Sequence, residues 1–133
     1  MSQSKTGAII VLQRNNSLEF VKSTGDAMAV EVNQPILESI FYKNSPLHDG
    51  ALIIEDNTIT ATRVILPVSN ETSLPARFGL RHRAGVGITE KTDAVCLVVS
   101  EESGQISYLK DGDFVLFKDQ DELEKILAKD LSE

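Results

Sequence analysis

Residues 93–100 read DAVCLVVS, an unbroken apolar stretch from Ala94 to Val99 set between an aspartate and a serine. The stretch is too short for a typical helix and is rich in β-branched valine, so it predicts a buried strand. Unbroken rather than alternating hydrophobicity suits a strand covered on both faces, which points to a sheet with helices packed against it. The same pattern recurs in GAIIVLQ (7–13) and in ALIIE (51–55).

Other segments fill in the plan. LEFVK (18–22) alternates apolar and polar residues as a half-exposed strand would, and AVEV (29–32) predicts another short strand. In NQPILESIFYK (33–43) the period becomes helical: Ile36, Leu37, Ile40 and Phe41 share a face, with Asn33 as N-cap and Pro35 in the first turn. ALIIE, DN and TITATRVIL (51–66) predict a hairpin with a tight turn. SNETSLPARFG (69–79) has loop composition, and LRHRAGVGITEKT (80–92) predicts a helix despite its two glycines.

After the DAVCLVVS strand come a turn at EESGQ, a strand at ISYLK, a turn at DGD and a strand at FVLF. The tail QDELEKILAKDLSE predicts a helix with Leu123, Ile126, Leu127 and Leu131 on one face, and Asp121 and Glu124 as a capping-box pair. The expectation is one α/β domain over residues 1–133, a central mixed β-sheet flanked by helices. Its core spans about 7–117 and its C-terminal helix about 119–131. No repeat divides it.

Charge narrows the function. The 20 acidic residues outnumber the 13 basic ones, for a net charge of −7. A broad nucleic-acid surface needs clustered Lys and Arg, so nucleic acid is not an expected partner. The one dense basic group is RFGLRHR, with Arg77, Arg81, His82 and Arg83. A solvated helix face is the ordinary reading of such a group; a binding place for a small anion is the sharper one. Cys96 is the only cysteine and lies in the apolar run, where it is a small core residue suited to a reducing cytoplasm. No apolar run approaches the ~20 residues that a bilayer span requires, and the start MSQSKTG has no signal-peptide core.

Three polar clusters interrupt the plan at strand ends. His48 and Asp49 precede ALII; Arg81, His82 and Arg83 follow the next strand; Ser100, Glu101 and Glu102 follow AVCLVV. Open α/β sheets bind ligands where connections splay apart at strand ends. If the clusters converge, carboxylates and an imidazole could hold Mg²⁺ or Mn²⁺. The arginines could grip phosphate oxygens in pairs, and Gly50 would admit a ligand close to the backbone. Singly, each cluster also reads as an ordinary turn or surface group. A Ser100–His82–Asp49 hydrolase triad lacks the GxSxG elbow. No P-loop, dinucleotide fingerprint, HExxH or CxxC is present.

Taken together, PLHDGALII, ILPVS, RHRAGVGITEKTDAVCLVVSEESG and ISYLKDG resemble, in order, the diadenylate cyclase domain family, with the greatest likeness to its membrane-anchored type. The resemblance runs from about GAIIV to GDFVLF. It implies a diadenylate cyclase-like fold and a metal-dependent nucleotidyltransferase that condenses two ATP into cyclic di-AMP, releasing two pyrophosphates. It implies catalytic roles for Asp49, Arg81, His82 and Arg83. The expected ATP contacts are Gly50, Ala51, Leu66 (against adenine), Leu80, the RHR residues, Ser100 and Glu101. The expected ligands of a Mn²⁺ or Mg²⁺ ion are His48 and Glu102, with Asp49 as a further candidate. Leu80 stands where many relatives carry Thr, and Ile65 where some carry Tyr. The resemblance also implies a homodimer as the active species and a cytoplasmic domain of a protein whose membrane anchor lies outside this chain. A non-catalytic module binding ATP or cyclic di-AMP is the alternative; a metal-dependent phosphoesterase fits less well, since only two histidines are available.

Overall fold

The structure, a computed structural model, describes residues 7–40, 50–67, 80–100 and 104–132. Among them the order of elements is β1 (Ala8–Leu12), α1 (Glu19–Lys22), β2 (Asp26–Glu31), α2 (Gln34–Ile40), β3 (Ala51–Glu55), β4 (Thr58–Val64), α3 (Leu80–Lys91), β5 (Val95–Val99), β6 (Ile106–Lys110), β7 (Asp113–Val115) and α4 (Gln120–Ser132). The strands form one sheet in the order β2-β4-β3-β1-β5-β6-β7. β1 and β3 pair in parallel, and the remaining neighbours are antiparallel. The expected mixed sheet flanked by helices is thus the fold.

The unbroken apolar strands are buried on both sides. Ile9, Val11, Ala51, Ile53, Cys96 and Val98 face a core that includes Leu18 and Val21 of the α1 region and Ala84, Val86 and Ile88 of α3. The alternate residues Ala8, Ile10, Leu52, Ile54 and Val99 face the other way, toward Ile36 and Leu37 of α2. Leu123, Ile126 and Leu127 of α4 continue that second layer over Val95 and Tyr108. Burial of each large apolar side chain contributes roughly 1.5–3 kcal/mol, so the two-sided strands dominate the stability.

Several local expectations hold for visible reasons. The backbone N–H of Ile36 donates to the Asn33 side chain at 2.9 Å, the N-cap predicted for α2. Asp56 and Asn57 both have positive φ, 49° and 63°, the two-residue turn that matches the twist of a hairpin. α3 forms despite Gly85 and Gly87, and β7 starts one residue before the predicted FVLF strand and stops at Val115. The loop predicted at 69–79 lies outside the described residues, as does Phe41, except that its neighbour Leu80 opens α3.

Three expectations fail. LEFVK is not a strand: Glu19–Lys22 form a helical turn. Leu18 and Val21, three apart, are the residues that bury, and Lys22 pairs with Glu55 of β3 across the turn. Alternation over five residues fits both periods, and tertiary packing selects the helical one. In α4 the cap is Asp119, whose side chain accepts the Glu122 N–H at 2.9 Å, not Asp121 with Glu124. The buried face also shifts, because Leu131 is 46% exposed whereas Asp130 is only 5% exposed. Asp130 accepts hydrogen bonds from the Tyr108 hydroxyl at 2.6 Å and the Lys110 ammonium at 2.8 Å. A charge turned inward is tolerated because both of its oxygens are satisfied.

Candidate active site

The strand register decides whether the polar clusters meet. Ala8 pairs with Val99, Ala51 with Val64, and Val99 with Ile106, while β3 runs parallel to β1. The starts of β1, β3 and β6 and the ends of β4 and β5 therefore lie along one end of the sheet. That end gathers Gly7, Gly50, Leu66, Ser100 and Gln105. β3 and β5 flank β1, so Gly50 and Ser100 are separated by two strand spacings, about 10 Å. α3 starts above the same end.

Arg81, His82 and Arg83 occupy the first turn of α3 and diverge from it. Arg81 lies over Gly7 at the start of β1: a Cβ there would sit 2.6 Å from the guanidinium carbon and 2.7 Å from Nη1. A side chain at Gly7 would make the guanidinium shift from this seat. His82 turns toward the β6–β7 hairpin, where its ring stacks on Phe114 with centroids 6.0 Å apart and its Nε2 lies 3.3 Å from the Ser107 hydroxyl. Burial, and secondarily the charge of Arg81, lowers the His82 pKa, so the ring is neutral near pH 7. The first turn carries no acidic residue, and its positive side chains add to the positive end of the helix dipole. An anion is the natural counterpart.

Gly50 directly precedes β3 with φ of +87°, and a Cβ on it would meet the Arg63 backbone at 2.7–2.8 Å. β4 has an extra residue there: Thr62 and Arg63 together face Leu52, between the Ala51–Val64 and Ile53–Ala61 pairs. The glycine expected to admit a ligand is thus also required by the fold. Ala51 is buried in the α1–α3 core. Leu66 is 7% exposed and belongs to that core, whereas Ile65 beside it is 69% exposed, its N–H held by the Thr24 hydroxyl at 2.8 Å. Ser100 closes a turn in which its N–H donates to Gln105 and its carbonyl accepts from Gly104. Leu80 opens α3.

The residues expected to hold metal, His48, Asp49 and Glu102, lie outside the described residues, as does Glu101. Among the described residues no group of three or more His, Cys, Asp or Glu gathers. In the sequence His48 and Asp49 precede Gly50, and Glu101 and Glu102 follow Ser100. An imidazole with carboxylate oxygens is a donor set that fits Mg²⁺ or Mn²⁺. Gly7 read only as a strand boundary in the sequence, and Ser107 and Phe114 only as strand residues, because each matters through what α3 lays against it.

This arrangement sets a basic helix start at one strand end of a mixed, two-sided sheet. The profile of the DAC family, described as DisA bacterial checkpoint controller nucleotide-binding, matches residues 1–114, and the chain belongs to that family. It is 45% identical over 112 residues to diadenylate cyclase CdaS of Bacillus thuringiensis, covering 84% of this chain and 56% of that protein. In three dimensions it is similar to a double cysteine mutant of DacA from Staphylococcus aureus, with a TM-score of 0.93 and 38% identity, covering 98% of this chain and 87% of that one. It is also similar to a hypothetical membrane spanning protein from Bacillus cereus, with a TM-score of 0.83 and 43% identity, covering 88% of this chain and 57% of that one. The chain spans about half the length of the curated relatives it matches. The resemblance read from the LHDGA and RHR sequences is borne out.

Proposed function

We propose that the chain is the catalytic domain, over residues 1–133, of a diadenylate cyclase that condenses two ATP into cyclic di-AMP and releases two pyrophosphates. The observation that carries this reading is the meeting of β3's start, α3's first turn and β5's end at one end of the sheet. Relatives named diadenylate cyclase support it. Arg81 and Arg83 would bind triphosphate oxygens, with the helix dipole behind them. His82 lies between them, neutral and seated on the hairpin. Gly50 and Ala51 would bring backbone close to the nucleotide, and Leu66, Leu80, Ser100 and Glu101 would complete its pocket. Asp49 would orient a ribose 3′-hydroxyl or take its proton as that oxygen attacks the α-phosphorus of the second ATP.

His48, Glu102 and Asp49 would hold a Mn²⁺ or Mg²⁺ ion, which when bound supplies neutralisation of triphosphate charge. One DGA and one RHR sequence per chain make one ATP site per subunit. Two reciprocal attacks then need two subunits face to face about a twofold axis. No helix among the described residues is long and apolar enough to cross a membrane. Likeness to a hypothetical membrane spanning protein supports a full-length protein with an anchor outside this chain, and ATP as substrate would put this domain in the cytoplasm.

Incubation with ATP and Mn²⁺ or Mg²⁺, followed by product chromatography, tests the reading. Cyclic di-AMP is expected, with activity per subunit falling on dilution into monomers. Asp49→Asn should abolish product and keep most ATP affinity. Wild-type turnover in that variant would overturn the role of Asp49, and ATP binding without product by the parent chain would mark a binding module instead.

A further inference from the structure

Arginines at a helix N-terminus oppose the macrodipole, each at a cost of a few tenths of a kcal/mol. The first turn also lacks intrahelical partners for its N–H groups and is where a helix frays. The first turn of α3 carries two arginines and no acid, so something outside the helix must hold it in place. The β6–β7 hairpin does so along the whole length of α3. Its Gly112 N–H donates to Thr89 near the helix C-terminus at 3.1 Å, Leu109 packs against Gly85 at the middle, and Ser107 and Phe114 meet His82 at the N-terminus. Successive helical side chains point about 100° apart, which lets His82 face the hairpin while Arg81 lies over Gly7 on β1.

We infer that Ser107 and Phe114 are positioning residues for the Arg81 guanidinium: they seat the His82 ring, and the seated ring fixes the turn that aims Arg81 at the triphosphate. The inference rests on the proposed ATP site. Neither side chain belongs to the expected nucleotide contacts; both act through α3. With the turn held, Arg81 meets an anion already oriented, and the ordering cost is met in folding rather than in binding.

The test is a double-mutant cycle on the affinity of the whole chain for an α,β-methylene analogue of ATP with Mn²⁺, a ligand that cannot lose pyrophosphate. Phe114→Leu and Ser107→Ala should each weaken binding by about five- to tenfold in the parent chain and by less than about twofold when Arg81 is already alanine. Phe114→Tyr, which keeps the ring, should restore binding. Titration of the His82 ring resonance should show its pKa rising toward the ordinary value in Phe114→Leu, a signature of unseating. Losses of equal size in both backgrounds, or unchanged affinity in both single variants, would overturn the inference. If Phe114→Leu does not fold, Ser107→Ala carries the same cycle. Analogue binding without cyclic di-AMP from ATP would overturn the cyclase reading and leave the cycle intact; no binding by the parent chain would overturn both.

Discussion

Gly50 shows how one position can serve the fold and a proposed site together. Its φ of +87° lies in the left-handed region, and its missing Cβ leaves room for the bulged backbone at Arg63. Gly50→Ala adds both backbone strain and a clash with main-chain atoms that cannot rotate away. Each effect costs roughly 1–3 kcal/mol, so the expected loss is at least about 2 kcal/mol in a urea melt. Activity should fall more steeply than the folded fraction, because Gly50 belongs to the proposed ATP site. An alanine variant of wild-type stability would mean that the bulge relaxes freely. Arg81 over Gly7 is a second case: the glycine was legible as a strand boundary, but its partner 74 positions away in sequence was not.

At the scale of elements, α3 illustrates competition between helix propensity and packing. Replacing Gly85 by alanine should favour the helix by about 1 kcal/mol. The added Cβ would, however, lie 2.5 Å from Leu109 Cδ1, 3.2 Å from Val98 Cγ2 and 3.3 Å from Cys96 Sγ. Leu109, Val98 and Cys96 are all fully buried, so relief requires repacking at about 1–3 kcal/mol. Packing wins, and Gly85→Ala is expected to lower the melting temperature; a higher one would show that helix propensity dominates. The glycine that weakened the helical reading of RHRAGVG is what allows α3 to approach the sheet. In α1 and α4 the sequence pattern was read with the wrong period or the wrong cap. The helical period of α1 and the inward turn of Asp130 in α4 share a cause, since Lys22 pairs with Glu55 on β3 and Asp130 with Tyr108 and Lys110 on β6, contacts that local patterning does not encode.

At the scale of the whole molecule, four groups among the described residues link stability to acid. Burial and Arg81 lower the His82 pKa. The Lys22 hydrogen bond lowers Glu55 despite its burial. Burial pushes Asp93 up, but hydrogen bonds from the Asn16 and Asn15 backbone outweigh it. Burial likewise opposes Asp130, and the Lys110 and Tyr108 hydrogen bonds prevail. In every case the unfolded chain binds protons at higher pH than the folded one. Stability is therefore fully present above the ordinary values of 6.5, 4.5 and 3.8 and is lost as pH falls through the lowered ones. Lys22 acts oppositely: its raised pKa keeps its contribution present below 10.5, to be lost only at higher pH. Urea midpoints are expected to hold near neutrality, fall below about pH 6.5 and fall more steeply below about 4.5. A stability maximum below pH 5 would contradict this.

The sequence by itself determined the layered α/β class, because unbroken apolar strands have to be covered on both faces wherever they lie. It also determined the hairpin at Asp56–Asn57 and the Asn33 cap, and it named the residues proposed for the site, since these depend on local backbone preference or on side-chain chemistry. The tertiary structure alone decided that β1 pairs in parallel with β3 and antiparallel with β5. That register brings Gly50, α3 and Ser100 to one end. It also decided that α3 is held by Ser107 and Phe114, and that Asp130 turns inward where Leu131 was expected. Strand order and helix seating depend on contacts between residues far apart in the chain, whose free energies are realised only when the whole sheet is assembled.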